Sequence, residues 1–214
     1  MRAEFVFGGT FDPVHFGHLA IIDALQTLSP ETAIRVLLCA LPPLKSKPQT
    51  AYADRLTLLK LALTDRRGVI IDTREQRRDS PSYTVESLAS LKQAHPDHCF
   101  VLVMGMDSLL TLQQWYHWQQ LASMCHVLVI NRPGSDLSQA QSIMRATGFT
   151  PVASFDALVA GRSGNGMALT MPEKMHSSTT IRKAITDKVA LDTLLPPSVI
   201  DYISNNHLYE SENT

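Results

Sequence analysis

Apolar runs of strand length alternate with helix-length amphipathic stretches along most of this chain, and that alternation constrains the fold more than any other feature. Residues 3–7, 34–39, 69–71, 100–104 and 126–130 read as strands, with 168–171 a further candidate. Between them, Leu19, Ile22, Leu25 and Leu28 recur at helical spacing, as do Leu56, Leu59 and Leu63. Helices are also expected over 85–91, 181–185 and 199–203. Strands that alternate with helices imply parallel βαβ units. Uninterrupted apolar strands such as Val101-Leu102-Val103 fit a sheet covered on both faces. The chain has 214 residues, which suits one α/β domain over 1–214. The stretch 160–166, rich in Gly and Ser, reads as a surface loop, and the polar tail after about residue 209 as frayed.

The formal net charge is −1, so nothing in the overall balance argues for a nucleic-acid or membrane partner. An anion site must then be local, made from a few side chains and backbone amides. Cys39, Cys99 and Cys125 are far apart and form no C-x-x-C pair, which speaks against structural zinc and fits a reducing cytoplasm. The N-terminus opens directly on a strand-like stretch without a leader pattern, and no apolar run is long enough to span a bilayer. A cytoplasmic protein is expected. The sequence is silent on its oligomeric state.

In an open parallel sheet, ligands sit beyond the carboxyl ends of the strands. The first strand leads into Gly8-Gly9-Thr10-Phe11-Asp12-Pro13-Val14-His15-Phe16-Gly17-His18. Two glycines let backbone amides approach a ligand, and Thr10 adds a hydroxyl. A helix is expected to start near Phe16, and its N-terminus favours negative charge. His15 and His18 are three apart and would share a face there. Two imidazoles beside a helix N-terminus suit nucleotide phosphates and can donate to oxygens that gain charge in group transfer. The plain alternative is a glycine turn followed by two capping or core histidines. Neither G-x-G-x-x-G nor a Walker motif is present. Further polar segments follow other strands: Leu44-Lys45-Ser46-Lys47, Gly105-Met106-Asp107-Ser108, and Ser177-Ser178-Thr179 before a late helix that carries Arg182. A serine there can cap the helix, and Arg182, one turn in, can fork onto phosphate oxygens. Asp107 is left as either a helix cap or a ribose contact.

The string Gly8 to His18, with His15-Phe16-Gly17-His18 as H-x-G-H, resembles the nucleotidylyltransferase superfamily that shares a fold with class I aminoacyl-tRNA synthetases. Within it the chain resembles the bacterial nicotinate-nucleotide adenylyltransferases. Ser177-Ser178-Thr179-Thr180-Ile181-Arg182 is similar to that family's S-S-T-x-I-R, and Pro81-Ser82-Tyr83-Thr84, Gly105-Met106-Asp107-Ser108 and Trp115-Tyr116 are similar to its further motifs. The resemblance implies a Rossmann-like α/β fold and transfer of the adenylyl group of ATP to nicotinate mononucleotide, with Mg2+ accompanying ATP. It implies catalytic roles for His15, His18 and Arg182. ATP would lie against Gly8, Gly9, Thr10, His18, Lys45, Gly105, Asp107, Ser177, Ser178, Thr179 and Arg182. The nicotinate moiety would be held by Tyr83, Thr84, Trp115 and Tyr116, with Trp115 stacked on the pyridine ring. Trp115 and Tyr83 packing only as core is the alternative reading. No protein side chains are expected to form a dedicated metal cage.

One position departs from the pattern. The family usually has P-P-H-K after the second strand, and here Pro42-Pro43-Leu44-Lys45 stands there. Leu44 cannot donate to a phosphate. Leu44 keeps open one rival, a nucleotide-binding regulator without catalysis; the other rival is the same chemistry on nicotinamide mononucleotide or another phosphate acceptor, because the Trp115 and Thr84 groups separate acid from amide less surely.

Overall fold

Seven segments pair as parallel strands: β1 (Arg2–Gly9), β2 (Ala33–Leu38), β3 (Val69–Asp72), β4 (His98–Gly105), β5 (His126–Asn131), β6 (Thr150–Pro151) and β7 (Asn165–Thr170). Nine α-helices are described: α1 (Phe16–Leu28), α2 (Tyr52–Leu63), α3 (Thr84–Ala94), α4 (Met106–Leu110), α5 (Leu121–Met124), α6 (Leu137–Ala146), α7 (Phe155–Leu158), α8 (Ser178–Thr186) and α9 (Pro197–Asn205). The structure is a computed structural model, and it describes residues 2–44, 47–131, 136–171 and 177–210. The strand order is β3-β2-β1-β4-β5-β7-β6. The chain therefore builds outward from β1 to β3, then crosses back and builds the other way from β4. That reversal lies between β1 and β4. In open parallel sheets the crevice beyond such a switch point is where ligands bind.

Alternation along each strand sends its side chains to two cores. Phe5, Phe7, Ile34, Val36, Val101, Val103, Leu128 and Ile130 pack with residues of α1, α2, α8 and α9. Val6, Leu37, Phe100, Leu102, Val127 and Val129 pack with residues of α3, α4, α5 and α6 on the other face. Both faces are covered, as the uninterrupted apolar strands require. A line of charge also crosses the second face. His98, Glu4, Arg35 and Asp72 come from the neighbouring strands β4, β1, β2 and β3, linked by bonds of 2.9, 2.5 and 3.0 Å. Burial alone would raise the Asp72 pKa, but hydrogen bonds from Arg74 and Arg35 outweigh it and hold the carboxyl low.

All the expected strands are present, five of the six one to three residues longer than the apolar run. Five elements were given no range from the sequence: α4, α5, α6, β6 and α7. In α6 only Ala140 and Met144 are buried, too few to mark a helical face in the sequence. The expected loop over 160–166 is also shortened, because β7 starts at Asn165. Gly166 allows this. A Cβ there would lie 2.8 Å from the Met144 sulfur and 3.1 Å from Val127, so a side chain at this strand position would force Met144 to move.

Candidate active site

β1 ends in Gly8-Gly9, and the two glycines differ in purpose. A Cβ on Gly8 would meet nothing within 4 Å, and the same holds for Gly105 at the end of β4. The pairing Phe7↔Val103 carries Gly9 and Gly105 to the same level on adjacent strands. The carboxyl ends of β1 and β4 thus face open space with bare backbone. Gly9 answers to packing instead, since a Cβ would press on the Phe11 ring at 2.8 Å. Phe11 turns the chain through a left-handed φ of 49° and buries its ring edge-on to Phe7 and His18, at 5.6 and 4.9 Å.

His15 and His18 do not simply share a helix face. His15 is the N-cap of α1 and His18 is its third residue, and they cap each other reciprocally. The His18 amide donates to His15 Nδ1, and the His15 amide donates to His18 Nδ1, both at 3.3 Å. The rings stack with centroids 3.7 Å apart. This is a capping box with imidazoles in place of the usual hydroxyl and carboxylate. It has a chemical consequence. Each Nδ1 accepts, so the hydrogen of each neutral ring sits on Nε2. The two histidines are fixed as Nε2–H donors at a helix N-terminus.

A second helix start is fastened to the same loop. Ser177 caps α8 by accepting from the Thr180 amide at 3.1 Å. Ser178 donates to the Pro13 carbonyl at 3.2 Å, and Arg182 Nη1 donates to the Asp12 carbonyl at 2.8 Å. Two helix N-termini with their partial positive charge therefore meet at the 10–18 loop. Arg182 is less free than the sequence suggests, because its other Nη donates to Thr179 Oγ1 at 3.3 Å. Asp107 is exposed in the first turn of α4; the helix cap is Gly105, and no side chain caps it. Of the loop after β2, Leu44 is exposed and Lys45 lies outside the described residues.

The residues that hold this arrangement include several that motif reading passed over. The Arg55 guanidinium is buried and donates from Nη1 to the Thr10 and Cys39 carbonyls, both at 2.7 Å, and from Nε to the Thr50 carbonyl at 3.3 Å. It ties the ends of β1 and β2 to the start of α2. Burial pushes its pKa down, and the Asp12 carboxylate opposes this. Asp12 in turn accepts from the Gln49 amide at 2.9 Å and from the Tyr209 hydroxyl at 2.8 Å. The available signal was Arg55 itself: it sits three and four residues before Leu58 and Leu59, on the apolar stripe of α2.

The other group lies along the same sheet edge. Ser82 accepts from the Ala40 and Leu41 amides at 3.1 and 2.9 Å, which joins the loop after β2 to the approach to α3. Tyr83 is the N-cap of α3 but offers no side-chain cap; the Glu86 and Ser87 amides donate to its carbonyl, and helix geometry leaves those of Thr84 and Val85 without an intrahelical acceptor. The Tyr83 and Tyr116 rings stack at 4.3 Å. Trp115 and Trp118 are partly buried against the second core, so both keep surface outside it. Among the described residues, no group of three His, Cys, Asp or Glu is placed to hold a metal, and no helix is long and apolar enough to cross a membrane.

Residues 6–184 match the cytidylyltransferase-like family model. A probable nicotinate-nucleotide adenylyltransferase of Stenotrophomonas maltophilia is 36% identical over 219 residues, spanning 99% of this chain and 98% of its own length. One from Pseudoalteromonas atlantica is 34% identical over 209 residues, spanning 98% and 95%. This chain belongs to the nicotinate-nucleotide adenylyltransferase family. The resemblance carried by Gly8 to His18 and Ser177 to Arg182 is thereby borne out. A solved structure of Plasmodium falciparum nicotinic acid mononucleotide adenylyltransferase, complexed with NaAD, superposes with a TM-score of 0.77 at 20% identity over 98% of each chain. At that identity the likeness establishes the family's nucleotidyltransferase fold.

Proposed function

We propose that this chain transfers the adenylyl group of ATP to nicotinate mononucleotide, yielding nicotinate adenine dinucleotide and pyrophosphate in NAD biosynthesis, and that it does so as one cytoplasmic domain. The reciprocal cap of His15 and His18 carries the mechanism, and the full-length relatives carry the acceptor. A phosphate oxygen of nicotinate mononucleotide attacks the α-phosphorus of ATP in line. The bond from that phosphorus to the bridging oxygen breaks, and pyrophosphate takes the electron pair. No covalent enzyme intermediate is required. Catalysis rests on positioning and on stabilising charge as it develops.

In this reading His15 and His18 direct Nε2–H toward the bridging and equatorial oxygens, and Arg182 faces the β and γ phosphates. ATP lies over Gly8, Gly9, Thr10, Gly105 and Asp107, beside Ser177, Ser178 and Thr179. The bare backbone at Gly8 and Gly105 supports this placement. The pyridine ring stacks on Trp115, and amides near Thr84 and Tyr116 hold its carboxylate, with Tyr83 flanking. Magnesium would accompany ATP, held chiefly by phosphate oxygens and water rather than by side chains of this protein, and would supply positive charge against the phosphates.

Pyrophosphate release with ATP, magnesium and each acceptor tests the assignment. Release with nicotinate mononucleotide is expected, well above release with nicotinamide mononucleotide. Equal rates would sink the acid-selective site, and no release with any acceptor would sink the activity.

A further inference from the structure

We infer that Tyr209 is a positioning residue for adenylyl transfer, holding the His15–His18 loop in its working geometry through Asp12. The inference rests on the activity proposed above. Tyr209 lies 197 residues from Asp12 in sequence, yet its hydroxyl donates to Asp12 Oδ1 at 2.8 Å. The Asp12 carboxylate is buried, so each of its oxygens needs a donor. Gln49 supplies one amide and Tyr209 supplies the hydroxyl. The Asp12 carbonyl takes Arg182, and the Arg55 guanidinium, which holds the Thr10 carbonyl, feels the Asp12 charge. Asp12 stands three residues before His15, at the turn that sets where α1 begins.

Tyr209 is itself anchored. Thr186 at the end of α8 donates to its carbonyl at 3.3 Å. His207 and Tyr209 both hold left-handed backbone, with φ of 52° and 64°. Non-glycine residues keep that conformation where surrounding contacts fix it. The end of the chain is thus built to aim one hydroxyl at the motif turn. Loss of that hydroxyl leaves a buried carboxylate oxygen without its donor, directly beside the capping pair.

The test is Tyr209→Phe, read by steady-state kinetics, binding of a non-hydrolysable ATP analogue, and thermal unfolding. A positioning role predicts that kcat falls about 10-fold while KM for both substrates and the analogue Kd stay within about 2-fold, because misplaced donors are felt in the transition state. Unchanged kcat with a lowered unfolding midpoint would overturn the proposal, since Tyr209 would then only fasten the tail. Weakened analogue binding with unchanged kcat would overturn it too. If Tyr209→Phe fails to fold, Thr186→Val decides: a fall in kcat of the same kind but smaller supports the role, and wild-type kcat removes it. Wild-type protein assayed alongside separates the two ideas. A wild type without pyrophosphate release overturns both, whereas an active wild type with a fully active Tyr209→Phe overturns the latch alone.

Discussion

The 10–18 loop and the Tyr83–Tyr116 region line the same sheet edge but are built in opposite ways. The loop is held by directional bonds from several elements: Arg55 to Thr10, Gln49 and Tyr209 to Asp12, Arg182 and Ser178 to Asp12 and Pro13. The other region relies on stacked rings, an uncapped helix start and an exposed Tyr116. The contrast matches the two tasks proposed for these regions. Stabilising charge on a reacting phosphoryl group demands donors fixed to fractions of an ångström, because their benefit comes from being in place before charge develops. Holding a flat ring and a carboxylate tolerates looser surroundings, since stacking varies slowly with position.

This comparison predicts where substitutions act and how strongly. The largest effect belongs to the loop. His18→Ala should lower kcat on the order of 100-fold, the usual cost of losing one preorganised donor, with the far-ultraviolet circular dichroism unchanged. Near-normal turnover in that variant would end the catalytic role given to His18. Next comes the loop's foundation. Arg55→Met removes a buried cation that serves three carbonyls, and unfolding in urea should show a loss of about 3 kcal/mol. A loss under about 1 kcal/mol would mean that water replaces Arg55 and that the loop is not fastened as described. In the other region, Trp115→Ala should raise KM for nicotinate mononucleotide about 10-fold, with kcat and KM for ATP nearly unchanged. An equal rise in both KM values would show that Trp115 supports the sheet edge as a whole. The smallest effect is expected for Tyr116→Ala, about 3-fold in the same KM, because its ring is half in solvent and touches the rings of Tyr83 and His117. If Tyr116→Ala exceeded Trp115→Ala, the assignment of the ring-holding residue would need to be reversed.

The fold was largely legible because it depends on signals that are local in sequence. Apolar runs marked β1, β2, β4 and β5, and leucine spacing marked α1 and α2. The exceptions have a shared cause. α6 buries only two residues, and β6 and α7 are two and four residues long, so none of them advertises itself by periodicity. The site divides in a similar way. His15, His18, Ser177, Ser178 and Arg182 could be picked out because they sit in short strings with recognisable spacing. Arg55 and Tyr209 could not, and the part played by Ser82 was hidden although it lies in a quoted string, because each acts on a partner that only folding brings near. Ser82 serves the loop at 40–41, and Tyr209 serves Asp12.

Sequence by itself determined that the chain would form a covered parallel sheet and would place a glycine turn, two histidines and a serine-capped helix at strand and helix ends. Those properties follow from side-chain periodicity and from backbone needs within a few residues of each group. Tertiary structure decided how the histidines are used. Their reciprocal cap assigns the hydrogens to Nε2, and that is a matter of which atoms meet across a helix turn rather than of which residues are present. It also decided that Tyr209 bears on the first loop, since a hydrogen bond spanning 197 positions leaves no trace in local spacing.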